Sequence, residues 1–173
     1  LYSSAASDVY KRQMHTNFDC VGGMAELAAD RIGLQDCIVL EEVCEGEGIG
    51  RVGFLKHDMS VKELCNMVKE QFSLDKVALY GNEDEIVKKV AICPGSGKDE
   101  IELALLKGAK AIITGDVSYH YGIDSVAKGI NVIDAGHYGI EHIFIDKINS
   151  YLIENTKDIE VVKMDLDNPQ KYI

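Results

Sequence analysis

The sequence predicts a single α/β domain with a largely parallel or mixed sheet flanked by helices, and three observations lead there. Apolar runs at 87–93, 111–114 and 131–134 alternate with segments of helical period. Those runs show little polar–apolar alternation, as strands covered on both faces do. Each run ends in a glycine-bearing loop that opens a helix, the order that produces right-handed crossovers between parallel strands.

The elements follow in order. Met24, Leu27, Ala28 and Ile32 fall near helical spacing, and Gly33 is placed as the C-terminal cap. Residues 38–43 and 50–55 read as two strands of a hairpin around the turn Glu45-Gly46-Glu47-Gly48. Ser60 with Glu63 three residues on makes a capping box, and Val61, Leu64, Cys65, Val68 and Phe72 form one apolar stripe behind it. Residues 76–80 read as a short strand and 82–84 as a turn. Helices are then expected at 99–107 and 121–128, and one long helix from His137 to about Asn155. A last strand is expected at 160–164.

Composition narrows the function. The chain has 173 residues, of which 46% are hydrophobic and 27% charged, a balance that supports a real core and argues against disorder. A formal net charge of −11 disfavours nucleic acid as a partner, because phosphate binding needs clustered Lys and Arg. No apolar run approaches the ~18 residues of a membrane span. Five cysteines (Cys20, Cys37, Cys44, Cys65 and Cys93) form no C-x-x-C pair. Four of them sit in or beside apolar runs, so they read as buried free thiols in a reducing cytoplasm. Residues 1–13 show no helix or strand period and lack the apolar core of a signal peptide. They resemble a translated adapter, so they are expected to be a non-native leader before one domain over 14–173.

Candidate chemistry gathers where the strands end. In an open α/β sheet, ligands bind beyond the carboxyl ends of the strands. That rule puts Lys98, Asp116, His120, His137 and Glu141 on one rim. His137 and Glu141 are four residues apart at a helix start, a spacing that can hold one divalent ion; an acidic, capped first turn explains it equally well. The loop Pro94-Gly95-Ser96-Gly97-Lys98 lacks the spacing of a phosphate loop, so its glycines either receive phosphate or only turn the chain; Ser96 and Lys98 are its candidate substrate contacts. Asp116 caps the next helix, stands near a metal or touches substrate. His120 is a general base, a supporting residue or a plain surface histidine. Asp19 precedes a helix, so an N-cap role competes with metal binding. His57 and His142 read as surface or packing residues.

Four stretches carry a resemblance. These are His15-Thr16-Asn17-Phe18-Asp19, Pro94-Gly95-Ser96-Gly97, Thr114-Gly115-Asp116-Val117-Ser118-Tyr119-His120 and Ile133-Asp134-Ala135-Gly136-His137-Tyr138-Gly139-Ile140-Glu141. In this order they resemble the NIF3-like family, also called GTP cyclohydrolase 1 type 2 homologues, over residues 14–173. The resemblance implies two divalent metal ions (zinc, iron or manganese) between two α/β halves, and a toroidal homohexamer. It implies metal ligation by Asp19, His137 and Glu141. The family's tandem His pair near the N-terminus has no counterpart here. The chain is therefore expected to be the C-terminal two-thirds of the family fold without an insert domain, holding at most one ion weakly. The implied activity is that of a metal-dependent hydrolase acting on a nucleotide or phosphoester, with His120 as proton shuttle. A non-enzymatic metal-handling protein or scaffold is the alternative.

Overall fold

The computed structural model of the chain describes residues 15, 18, 19, 22–164, 168 and 170. The expected leader 1–13, Thr16, Asn17 and Cys20 lie outside the described residues. The elements run α1 (Met24–Arg31), β1 (Gln35–Cys44), β2 (Glu47–Ser60), α2 (Val61–Gln71), β3 (Ala78–Tyr80), β4 (Ile86–Ile92), α3 (Ile101–Leu106), β5 (Ala111–Thr114), α4 (Tyr119–Lys128), β6 (Asn131–Asp134), α5 (His137–Glu141) and α6 (Phe144–Asn155).

The strands form one mixed sheet in the order β1-β2-β4-β5-β6-β3. Its centre, β4-β5-β6, is parallel. The β1–β2 hairpin, the β2–β4 pair and the β6–β3 pair are antiparallel, so the mixed form of the expected sheet is the one adopted.

Side chains alternate across the central strands and build a core on each face. Val90 and Ile92 of β4, Ala111 and Ile113 of β5 and Ile133 of β6 join the cluster under α1 and α2. Ala91, Cys93, Ile112 and Val132 face the other way, onto α3 and Leu40. Both faces are therefore apolar, which is why the central strands show so little polar alternation. The α2 stripe is buried as its period predicts, with Phe72 fully enclosed. Its capping box is present: Glu63 N–H donates to Ser60 Oγ at 3.2 Å, and Ser60 N–H donates to Glu63 Oε2 at 2.7 Å.

Four expectations need correction. The single helix from His137 to Asn155 is divided: α5 ends at Glu141 and α6 begins at Phe144. At the break, Ile145 N–H donates to His142 O, and the His142 ring turns to the carbonyls of Tyr138 and Gly139 at 3.2 and 3.1 Å. The tight turn lets Ile140 and Ile143, three apart, enter one core. Residues 160–164 form no strand; Val162 and Met164 are exposed. Cys37 and Cys44 are exposed, because both lie on the edge strand β1; Cys65 and Cys93 are buried as expected. The first half of β4 alternates, with Ile86 and Lys88 exposed. Only its second half reaches the fully covered centre. Among the described residues, no helix is long and apolar enough to cross a membrane.

Candidate functional site

The parallel centre of the sheet brings three loops to one rim. They follow β4 (residues 93–97), β5 (115–118) and β6 (135–136). Hydrogen bonds tie them to one another. Gly115 N–H donates to Gly95 O at 2.9 Å, and Gly97 N–H donates to Thr114 Oγ1 at 2.9 Å. Asp134 clamps the other two loops, accepting from Val117 N–H and from Gly136 N–H, each at 2.9 Å. Four backbone donors are thus satisfied within the rim, which holds its geometry without help from solvent.

Two glycines let the loops close. A Cβ on Gly115 would stand 2.6 Å from His137 N, so only glycine lets the β5–α4 loop press against the start of α5. Gly95 has φ +74°, and a Cβ there would stand 3.0 Å from Glu141 Oε1 and 3.6 Å from His137 Nε2.

Around Gly95 lies a cavity of about 270 Å³. Asp19, Ser96, His137 and Glu141 contribute its polar lining together with His15, and Ile49, Gly50, Met24 and Ala25 close it from the hairpin and α1. Within it, His137 Nε2 lies 3.1 Å from Glu141 Oε2, the one-turn spacing expected of an i, i+4 pair. The other ring nitrogen, Nδ1, lies 3.0 Å from Asp116 Oδ2. Burial, the largest cause, raises the Glu141 carboxyl above the ordinary glutamate range; the charge of Asp19 adds to it, while His137 and His15 pull the other way. Burial also pushes the Cys93 thiol beneath the loop far above the usual range, so Cys93 is an inert packing group there.

Three residues expected from far-apart segments therefore share one cavity: Asp19, His137 and Glu141. Ser96 lines it as well. Asp116 meets the back of the His137 ring rather than the cavity itself. Lys98 points along the rim, its Nζ 5.6 Å from the Tyr121 ring centroid. His120 sits in the first turn of α4, exposed, with its ring against Tyr119, and does not line the cavity. Among the described residues, no three His, Cys, Asp or Glu side chains form a finished metal-binding cluster. His137 and Glu141 face each other, and Asp19 and His15 are the further donors that share their cavity.

Sequence reading missed two parts of this wall. His15 stands in a motif, and no spacing links it to His137. Arg51 was not singled out; it is buried at 5% exposure and donates to Gly48 O and Gly50 O at 3.1 and 2.8 Å, bracing the hairpin strand whose Ile49 and Gly50 close the cavity. A lone arginine in a glycine-rich strand carries no pattern that marks it as buried.

This fold and site define an α/β protein with an imidazole–carboxylate pair at the carboxyl rim of its parallel strands, and comparison with known proteins makes the class specific. The profile of Duf34/NIF3 (NGG1p interacting factor 3) matches residues 5–169. A protein of Clostridium perfringens named GTP cyclohydrolase 1 type 2 homolog is 32% identical over 178 aligned residues, covering 100% of this chain and 68% of that protein. A Clostridium acetobutylicum protein of the same name is 40% identical over 131 residues, covering 73% of this chain and 49% of its own length. The crystal structure of a Bacillus cereus protein related to NIF3 superposes with a TM-score of 0.83 at 18% identity, covering 92% of this chain and 72% of that one, a likeness of fold. The chain belongs to the Duf34/NIF3 family. It spans about half to two-thirds of the length of these two clostridial relatives.

Proposed function

We propose that Asp19, His137 and Glu141 are ligands of a divalent-metal centre, and that the protein is a metal-dependent hydrolase of a nucleotide or phosphoester. The observation that carries this reading is the 3.1 Å approach of His137 Nε2 to Glu141 Oε2 beneath Gly95, with Asp19 in the same cavity. Two ligand atoms each ~2.1 Å from one ion stand about 3.0 Å apart at a right angle and about 3.4 Å apart in a tetrahedron. The observed separation falls between them. A carboxylate oxygen only accepts, so the Nδ1 facing Asp116 is a donor, and in the neutral ring Nε2 then turns a lone pair toward Glu141. Two facing lone pairs call for a proton or a cation between them. The bare Gly95 leaves that space open.

An ion held there supplies a Lewis acid and lowers the pKa of bound water. The chain's own groups do the rest. Ser96 offers a hydroxyl on the cavity wall, Lys98 a positive charge on the same loop for a phosphate, and His120 a proton acceptor on the neighbouring helix. Mixed imidazole and carboxylate donors suit zinc, iron or manganese. Three ligands hold one ion weakly, and a second ion and its ligands belong to the whole protein of this family. The toroidal homohexamer and a cytoplasmic setting are part of the same proposal; the first is supported by exposed apolar residues of α6 such as Tyr151 and Ile153, the second by the free thiols.

Elemental analysis followed by a turnover screen on phosphoesters and nucleotides, GTP included, tests the reading. H137A and E141A are expected to lose metal and turnover together, and H120A to lose turnover alone. A chain that binds no divalent ion even at about millimolar metal overturns it. One observation favours a second reading, metal handling without catalysis: His120 does not line the cavity. Bound metal with no turnover on any substrate would establish that second reading.

A further inference from the structure

We infer that Asp116 is a positioning residue that fixes the tautomer and orientation of His137, rather than a substrate contact; this rests on the proposed metal centre. Asp116 is one of three described non-glycine residues with positive φ, at +56°. That conformation costs free energy for any residue with a side chain, although Asp tolerates it better than most. The fold maintains it from both sides. Gly115, the residue before, lies so close to the Gly136–His137 backbone that a Cβ would stand 2.6 Å from His137 N. Val117, the residue after, gives its N–H to Asp134 Oδ2 at 2.9 Å, and the other oxygen of the same carboxylate holds Gly136 N–H. One aspartate at the end of β6 thus locks together the loop that bears Asp116 and the loop that starts α5. The result of that left-handed turn is a carboxylate placed 3.0 Å from His137 Nδ1.

The chemistry of the contact follows from its partners. Asp116 only accepts, so Nδ1 must carry a proton, and the ring cannot swing away without losing a charge-assisted hydrogen bond. In the neutral imidazole the free lone pair is then on Nε2, the nitrogen that faces Glu141 and the cavity. A carboxylate behind a ligating imidazole fixes which nitrogen ligates and raises its basicity, and losing such a partner weakens metal binding about 10–100-fold. A substrate contact predicts a different geometry, with the Asp116 carboxylate lining the cavity; its Oδ2 is instead engaged behind the ring.

The test uses the whole 173-residue chain and Zn²⁺, a diamagnetic probe. Larger side chains are strained at φ +56°, so the informative variants are D116G and D116N. Glycine accepts φ +56° without strain, and asparagine keeps both an acceptor oxygen and tolerance of that conformation. Titration calorimetry is expected to show D116G binding Zn²⁺ about 10–100-fold more weakly, with its melting temperature not lowered, and D116N retaining most of the affinity. Side-chain ¹⁵N NMR of His137 in the metal-free protein is expected to show the Nδ1–H tautomer in the wild type and D116N, and a shift toward the Nε2–H tautomer in D116G. The inference is overturned if D116G binds Zn²⁺ as tightly as wild type, or if His137 of metal-free D116G keeps the Nδ1–H tautomer as fully as wild type does. Should the wild type bind no Zn²⁺, the metal centre itself falls. The Nδ1 proton of the metal-free protein then still decides whether Asp116 positions the ring.

Discussion

Gly95→Ala probes the cradle around His137 and Glu141 with a single added methyl. Two effects combine. The backbone at Gly95 has φ +74°, and a side chain there costs about 1–2 kcal/mol. The new Cβ also stands 3.0 Å from Glu141 Oε1, inside the ordinary contact distance for carbon and oxygen, so the carboxylate must shift by a few tenths of an ångström. Gly129→Ala separates the two. Its φ is +88° and nothing lies within 4 Å of the new Cβ, so it carries the backbone strain alone. For a chain of this size, each kcal/mol lowers the melting temperature by about 2–4 °C. Both variants are therefore expected to melt about 2–8 °C below wild type in circular-dichroism scans. Only G95A is expected to lose Zn²⁺ affinity in titration calorimetry, by at least about tenfold, since 1.4 kcal/mol of ligand displacement already gives that factor. G95A that binds Zn²⁺ like wild type while melting like G129A would refute the cradle. Equal loss of affinity in both variants would show that general destabilisation, and not crowding of Glu141, controls binding.

Ser60→Ala removes the acceptor for Glu63 N–H and is expected to cost about 1 kcal/mol, read by calorimetric unfolding; an unchanged melting temperature would mean the α2 start is held by packing alone. Phe72→Ala empties a fully enclosed site under α2 and is expected to cost about 3–5 kcal/mol, seen as a lowered urea midpoint with a similar slope. Glu100 provides the pH dependence. Burial, the largest cause, raises its carboxyl above the ordinary 4.5; a backbone hydrogen bond opposes it, the charges of Glu41 and Asp99 add to it, and its Oε2 is buried without a hydrogen-bond partner. The folded state thus holds this proton more tightly than the unfolded chain does. Its stabilising contribution is complete below pH 4.5 and is lost as pH rises through the raised folded value. E100Q, which stays neutral, is expected to be more stable than wild type at pH 7, with the gap closing toward pH 4; a gap independent of pH would contradict the assignment.

Much of the fold was legible because its causes are local. The Ser60–Glu63 box and the α2 stripe are patterns within a few residues, and both stand in the structure as read. The hairpin was legible for the same reason, since its turn lies at Glu45-Gly46 between two adjacent strands. The rim was legible by topology alone. Once strands 87–93, 111–114 and 131–134 are taken as parallel, their loops must lie side by side, and the loops after β4, β5 and β6 do. The resemblance added Asp19, which no spacing connects to His137.

The rest depends on contacts between distant residues. The strand before Tyr80 was visible, but its place beside β6 at the sheet edge is decided by pairings such as Leu79 with Ile133 and by buried Asn131, whose amide receives Asn82 N–H and donates to Glu85 and Lys110 O. The end of α5 was not visible, because its helical period continues smoothly; burying Ile140 and Ile143 together divides it. The apolar residues near 160 looked like a strand, yet no sheet edge pairs with them. The order of residues alone sets the chemical groups and the rim that carries them, since composition and strand order suffice for that. Which atoms meet is settled by the packed fold: Nε2 of His137 toward Glu141, Nδ1 toward Asp116 across 21 residues of chain, and Gly95 left bare between the loops. Those pairings depend on how segments remote in the chain come together, and no local pattern encodes a distance of that kind.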